Sequence, residues 1–232
     1  LNNNKTILEN QWLLKNPFPV NSFIFAADKC TNTDCATYFK TNNFFHMAWL
    51  AGFLLQLFGW KVEAEDLRHV KKAVLVMAPH TSNWDFVIGR LALLAQRVEV
   101  KTLVKKEMFF FPLSIILKSL GAIPLDRAKS PRTIKAVTGW FNKSDRLILM
   151  ITPEGSRKLS MHWKKGFYFI AQSANAPIVL GYLDFKKKIA GIGPTIVPSG
   201  DYDEDLSKIQ QFYMDKTARY PERFNLSPMY RK

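Results

Sequence analysis

His80 and Asp85 stand five positions apart in "PHTSNWD", directly after the apolar run Val74–Ala78. A histidine held by a carboxylate can accept a proton. The ring nitrogen facing the carboxylate donates to it, and the other nitrogen is left as the acceptor. A continuous α-helix turns about 100° per residue, so five steps would leave the two side chains roughly 140° apart. The pair can therefore meet only if the chain is not yet helical at His80. Pro79 disfavours a helix running through Ala78, and Thr81, Ser82 and Asn83 are cap-forming types. The spacing predicts His80 in a turn and Asp85 in the first helical turn, its carboxylate folded back onto the imidazole and kept ionised by the positive helix N-terminus. The plainer alternative is an aspartate that caps the helix beside a structural histidine. No G-x-S-x-G elbow occurs in the chain, and Ser82 is too close along the turn to serve as nucleophile. The proton is expected to come from a hydroxyl of the substrate.

A second polar cluster, "TPEGSRK" at 152–158, also follows an apolar run. It combines a carboxylate, Glu154, with Gly155, the hydroxyl of Ser156 and the cation Arg157. Such a loop suits a phosphate: glycine permits close backbone approach, and arginine makes bidentate charge-assisted bonds. Arg127 closes "GAIPLDR" in the same manner. A lone arginine is usually a solvated surface charge. Three polar clusters at three successive strand ends point instead to a site, because open α/β sheets bind ligands there.

The elements that must position these residues alternate. Strands are expected at 73–78, 98–104, 121–127, 146–155, 177–185 and 187–198. Helices are expected at 84–97, where Phe86, Leu91, Leu93 and Leu94 form the apolar face, at 108–120 with a break near Pro112, and at 163–174. A further helix opens with Ser130 as N-cap and Pro131 at its first position, and a last one spans 205–220. The fold class is α/β, a mixed and largely parallel sheet flanked by helices. The stretch 61–72, "KVEAEDLRHVKK", is read as a polar connection. Residues 1–43 form a turn-rich arm of unknown role, and 61–232 the α/β domain. Residues 44–60, "FFHMAWLAGFLLQLFGW", lack formal charge and fall short of the ~20 residues a spanning helix needs. They fit an interfacial, membrane-associating helix or a buried core helix.

Composition narrows the classes. Of 232 residues, 47% are hydrophobic and the net charge is +14, so the chain can form a core and is drawn to polyanions. The cations are dispersed and no zinc-finger or RNA-recognition pattern accompanies them, so nucleic acid is not the expected partner. Cys30 and Cys35 lie close together with no further ligands nearby, and no metal site is expected. No secretory leader pattern opens the sequence.

Taken in order, these blocks resemble the glycerolipid acyltransferases, the lysophosphatidate acyltransferases of bacteria and plants. The family's histidine–four residues–aspartate block is "HTSNWD". Its second block is "GAIPLDR", its Glu-Gly-Thr-Arg block is "EGSR" with Ser156 in place of threonine, and its proline-led apolar strand is "APIVLG" from Ala176. The resemblance runs from about Trp49 to Pro198. It implies a single-displacement transfer of a fatty-acyl group from acyl-CoA or acyl carrier protein to the hydroxyl of a lysophospholipid, 1-acyl-glycerol-3-phosphate first among them. His80 and Asp85 would be catalytic. Arg127, Glu154, Gly155, Ser156 and Arg157 would hold the acceptor. No metal or cofactor beyond the acyl thioester is implied. The lipid substrates need an apolar groove, for which "MFFFPLSIIL" is a candidate lining, though core packing is the plainer reading of that segment. Location on an anionic membrane surface is implied, at the cytoplasmic face, peripheral or monotopic. Two other readings remain at this point: the same chemistry on a lyso-lipid without phosphate, such as an amino-acid lipid, and a non-catalytic basic module for membrane or nucleic acid.

Overall fold

The computed structural model describes residues 46–64, 67–125 and 130–226. The arm at 1–43, the pair Cys30 and Cys35, the first residues of the apolar helix and Arg127 lie outside the described residues.

Seven strands form one sheet: β1 (Lys61–Ala64), β2 (Lys72–Ala78), β3 (Lys101–Lys105), β4 (Ala122–Leu125), β5 (Leu147–Ile151), β6 (Ile178–Asp184) and β7 (Ile189–Ile196). Their order is β1-β7-β6-β2-β5-β3-β4. All described pairings are parallel except β6 with β7. That exception is a hairpin, whose turn is closed by the Asp184 carboxylate accepting from the N–H groups of Lys186 and Lys187, both at 3.0 Å. The sheet is thus mixed and largely parallel, as its alternating sequence implies.

Helices cover both faces, which is why the central strands are apolar on both sides. Alternate residues of β2 part company. Val74, Val76 and Ala78 face α4 (Ser130–Lys143), α5 (Gly166–Ser173) and α6 (Tyr202–Tyr213) through Phe141, Phe167 and Ile209. Ala73 and Leu75 face the other way, with Leu93 of α2 (Asn83–Ala95), Val98 and Val100. Tyr213 fastens α6 to the sheet: its buried hydroxyl donates to the carbonyls of Val76 (2.9 Å) and Gly181 (3.0 Å), bridging β2 and β6.

The first described helix, α1 over 46–57, buries only the stripe Ala48, Ala51 and Leu55, at i, i+3 and i+7. Met47, Trp49, Leu50, Phe53 and Leu57 remain exposed. The core-helix alternative for this segment therefore does not hold. The "MFFFPLSIIL" segment is core only in part: it forms a short 3-10 turn and α3 (Leu113–Ser119), with Leu117 buried but Phe110, Phe111, Ile115 and Ile116 exposed.

Four expectations on the elements need correction. Residues 61–72 are not merely a connection, since Lys61–Ala64 is an edge strand paired with β7 and Leu67–His69 a 3-10 turn. An edge strand half open to water keeps polar residues, which hides it. The last helix runs from Tyr202 rather than 205 and stops at Tyr213. Asp201 caps it by accepting from the N–H groups of Asp203 and Glu204. The buried side of α2 is Ile88, Gly89, Ala92 and Leu93 with Asp85, so of the four expected residues Leu93 alone is fully buried. Small residues let α2 approach the sheet closely, and a side chain at Gly89 would meet Met77 at 3.5 Å. Ser130 lies within α4, not before it.

Candidate active site

β2 and β5 are parallel neighbours, with Val76 level with Ile151. Both chains therefore leave the sheet at the same edge, side by side. The turn after β2 carries His80, and the loop after β5 carries Glu154 to Arg157. This adjacency, fixed by the sheet, brings together residues about 74 positions apart.

The helix start is built as a capping box. Ser82 is the N-cap with an extended backbone, its hydroxyl accepts from the N–H of Asp85, and the Asp85 carboxylate reaches back. One Asp85 oxygen accepts from Thr81 N (2.5 Å) and Ser82 N (2.7 Å), and the other from Ser82 Oγ (2.6 Å). The same carboxylate lies 3.5 Å from His80 Nδ1. That is long for a hydrogen bond, as such bonds often are before substrate tightens them. The two readings of the sequence are thus compatible: Asp85 caps α2 and also faces the imidazole. Burial works against ionising Asp85, but the contacts from His80 and Ser82 outweigh it and hold its carboxyl below the usual aspartate range. The His80 ring keeps about a fifth of its surface exposed.

Glu154 sits beneath this turn rather than at its mouth. It is 4% exposed, and both its oxygens lie near the backbone N–H of His80, at 2.9 and 3.1 Å. It fixes where the His80 backbone stands. Burial, with the Asp85 charge added, pushes its carboxyl up to about 8 despite the bond from His80. Of the two carboxyl groups, Asp85 is therefore the ionised one at neutral pH and Glu154 is largely protonated. The folded protein holds a proton on Glu154 that the unfolded chain releases between about pH 4.5 and 8. This contribution to stability is full below that window and is lost as pH rises through it. Glu154→Gln should keep an acceptor for His80 N–H and remove this pH dependence. Thermal midpoints of both proteins, measured from about pH 5 to 9, should lie close together at the acid end and diverge with rising pH, the wild type falling below Glu154→Gln. Parallel curves across the window would refute a raised Glu154 pKa.

The rest of the loop is placed as follows. Gly155 has φ +67°, a left-handed conformation that favours glycine, and a side chain there would strike Lys164. Ser156 turns its hydroxyl inward on the loop, donating to the carbonyl of Lys158 (3.1 Å) and accepting from Lys158 N (3.2 Å). Arg157 donates from Nη1 to the side-chain carbonyl of Asn83, which draws the cation to the first residue of α2. Of the expected site residues, His80, Asp85, Glu154, Gly155, Ser156 and Arg157 are brought together. Arg127 follows β4 in the sequence and lies outside the described residues. The "APIVLG" block enters β6, where Ile178, Val179 and Leu180 are fully buried. Sequence reasoning missed Asn83 as the partner of Arg157, and also Thr81, whose Oγ1 accepts from Tyr220 N at 3.2 Å. No local pattern connects residues 139 positions apart.

Comparison with known proteins bears on the family and the fold. Residues 59–180, more than half of the chain, match the acyltransferase family. A 1-acyl-sn-glycerol-3-phosphate acyltransferase of Limnanthes alba is 28% identical over 137 residues, 56% of this chain and 47% of the relative. The chain thus spans about half the length of that curated relative. The fold is similar to the crystal structure of the 1-acyl-sn-glycerophosphate (LPA) acyltransferase PlsC from Thermotoga maritima, with a TM-score of 0.55 over 88% of this chain and 86% of that one, at 12% identity. With a His–Asp turn and a Glu-Gly-Ser-Arg loop side by side on one sheet edge, and a family match that spans both, the chain belongs to the acyltransferase family.

Proposed function

We propose that this protein transfers a fatty-acyl group from an acyl thioester, carried on coenzyme A or acyl carrier protein, to the free hydroxyl of a lysophospholipid, with 1-acyl-glycerol-3-phosphate as the leading acceptor and phosphatidic acid as product. The observation that carries this reading is the His80 ring. It is braced by Asp85, partly open to solvent, and stands beside a loop that presents Arg157.

The Nδ1 side faces Asp85, so Nε2 accepts the proton of the acceptor hydroxyl. The oxygen attacks the thioester carbonyl carbon and a tetrahedral oxyanion forms. The amides of His80, Thr81 and Ser82 are committed to Glu154 and Asp85, so the oxyanion would take the next N–H groups, those of Asn83 and Trp84 at the start of α2. The carbon–sulfur bond then breaks, and the thiolate leaves with the proton returned from the imidazolium. Asp85 stabilises that imidazolium. Arg157, with Arg127, supplies charge for the acceptor phosphate. The reaction as written requires no metal and no further cofactor.

The chain would act on an anionic bilayer surface. Among the described residues no helix is long and apolar enough to cross a membrane. Yet α1 turns Met47, Trp49, Leu50, Phe53 and Leu57 outward, and Phe110, Phe111, Ile115 and Ile116 form a second exposed group near Lys105, Lys106 and Lys118. Apolar side chains beside cations suit the headgroup boundary of anionic lipid. One experiment tests both parts. Vesicles rich in phosphatidylglycerol are loaded with lysophosphatidate or lyso-ornithine lipid and given labelled acyl-CoA or acyl carrier protein. The expected result is acylation of lysophosphatidate and co-flotation of the protein with the vesicles. Preference for the ornithine lipid would reassign the acceptor, and transfer to neither would overturn the reading.

A further inference from the structure

Beyond the family-matched residues, the chain returns to the His80 turn. Thr217 is anchored by its carbonyl, which accepts from Phe185 N at 2.9 Å, Ala218 is buried, and Tyr220 N donates to Thr81 Oγ1, one residue from His80. Between these anchors Arg219 lays its guanidinium against three rings: Trp84 at 5.6 Å, Tyr220 at 5.8 Å and Phe185 at 5.9 Å. Trp84 belongs to the first turn of α2 and follows Asn83, which holds Arg157. Two guanidinium groups from distant parts of the chain thus meet consecutive residues at the helix start. Among the described residues, no carboxylate pairs with Arg219 and no protein acceptor takes its guanidinium N–H groups. Arg219 is exposed, so the aromatic faces steady its planar group while its donors stay open to solvent or a ligand.

We propose that Arg219 binds a phosphate group of a substrate, so that the C-terminal segment supplies one wall of the active site. This rests on the acyl-transfer reading for which substrate carries the phosphate. The phosphate has two possible sources, the acceptor headgroup and the carrier of the acyl thioester. The rings pre-order the guanidinium, so little side-chain entropy is lost when its fork meets phosphate oxygens.

The test is Arg219→Ala beside Arg219→Lys in the full chain, with His80 and Asp85 intact. Steady-state kinetics are measured with the acceptor varied at saturating donor, then the reverse. Direct titration with glycerol 3-phosphate and with coenzyme A reads the same two arms without turnover. A charge-assisted bidentate contact is worth about 1.5–3 kcal/mol, so KM or Kd should rise about 10- to 100-fold in one arm for Arg219→Ala. The kcat and the thermal midpoint should stay close to wild type. Arg219→Lys should recover part of the loss, since it keeps the charge without the planar fork. A rise in the acceptor and glycerol phosphate arm assigns the headgroup, and one in the donor and coenzyme A arm assigns the carrier. Wild-type KM and Kd in both arms for Arg219→Ala would overturn the assignment while leaving the acyltransferase reading intact. Weakened phosphate binding in a chain that transfers no acyl group would do the opposite.

Discussion

Replacing His80 with alanine is expected to lower kcat/KM by two to four orders of magnitude while the protein stays folded. The separation between chemistry and stability follows from how His80 is held. Its structural tie is the backbone N–H given to Glu154, and alanine retains that bond. The side chain is partly exposed and contacts a carboxylate at 3.5 Å, so truncation opens no core cavity. Asp85 keeps its bonds from Thr81 and Ser82, and the helix cap survives. What is lost is the group that takes the hydroxyl proton. Lipid binding should persist, because the exposed apolar residues of α1 and α3 are untouched. The decisive comparison is turnover against the thermal midpoint and vesicle binding of the same preparation. Turnover equal to wild type would remove His80 from the mechanism.

Asp85→Ala should damage both properties at once. The Asp85 carboxylate is buried and serves two backbone N–H groups and a hydroxyl. Each buried donor left unpaired costs about 1–3 kcal/mol, and a lost cap about 1 kcal/mol. A destabilisation of several kcal/mol by urea unfolding is expected, large against the ~5–15 kcal/mol of a typical domain. Asp85→Asn separates the roles. Its carbonyl can accept one of these bonds, so stability should fall less, but the neutral amide cannot stabilise an imidazolium and activity should fall by orders of magnitude. The pH dependence has a definite sign. Asp85 has a folded-state pKa below its usual 3.8, so its stabilisation is present above that value and disappears as pH falls through the lower one. Asp85→Asn should flatten that acid limb of the stability curve. A fully active Asp85→Asn protein would reduce the aspartate to a helix cap.

The active turn could be read in the sequence because its geometry is local. Pro79, Ser82 and Asp85 lie within seven residues, and a capping box depends on neighbours in the chain alone. The alternation of apolar runs with amphipathic segments is also local, and it determined a largely parallel α/β sheet with polar clusters at its strand ends. The polar loop at 154–157 was legible for the same reason, as a set of residue types.

Only the tertiary structure decided what each residue faces. Glu154 looks like a ligand-binding carboxylate in sequence. Strand pairing between β2 and β5 buries it under His80, where it accepts the His80 backbone N–H and burial raises its pKa. The apolar segments at 44–60 and 108–117 could both be read as core in sequence, because composition does not reveal which neighbours arrive to cover them. The edge strand Lys61–Ala64 escaped notice because half its surroundings are water. The approach of Arg219 to Trp84 and of Tyr220 to Thr81 spans more than 130 residues of chain. Such contacts arise only when the closed core brings separate segments to one place, and no spacing rule along the sequence encodes them.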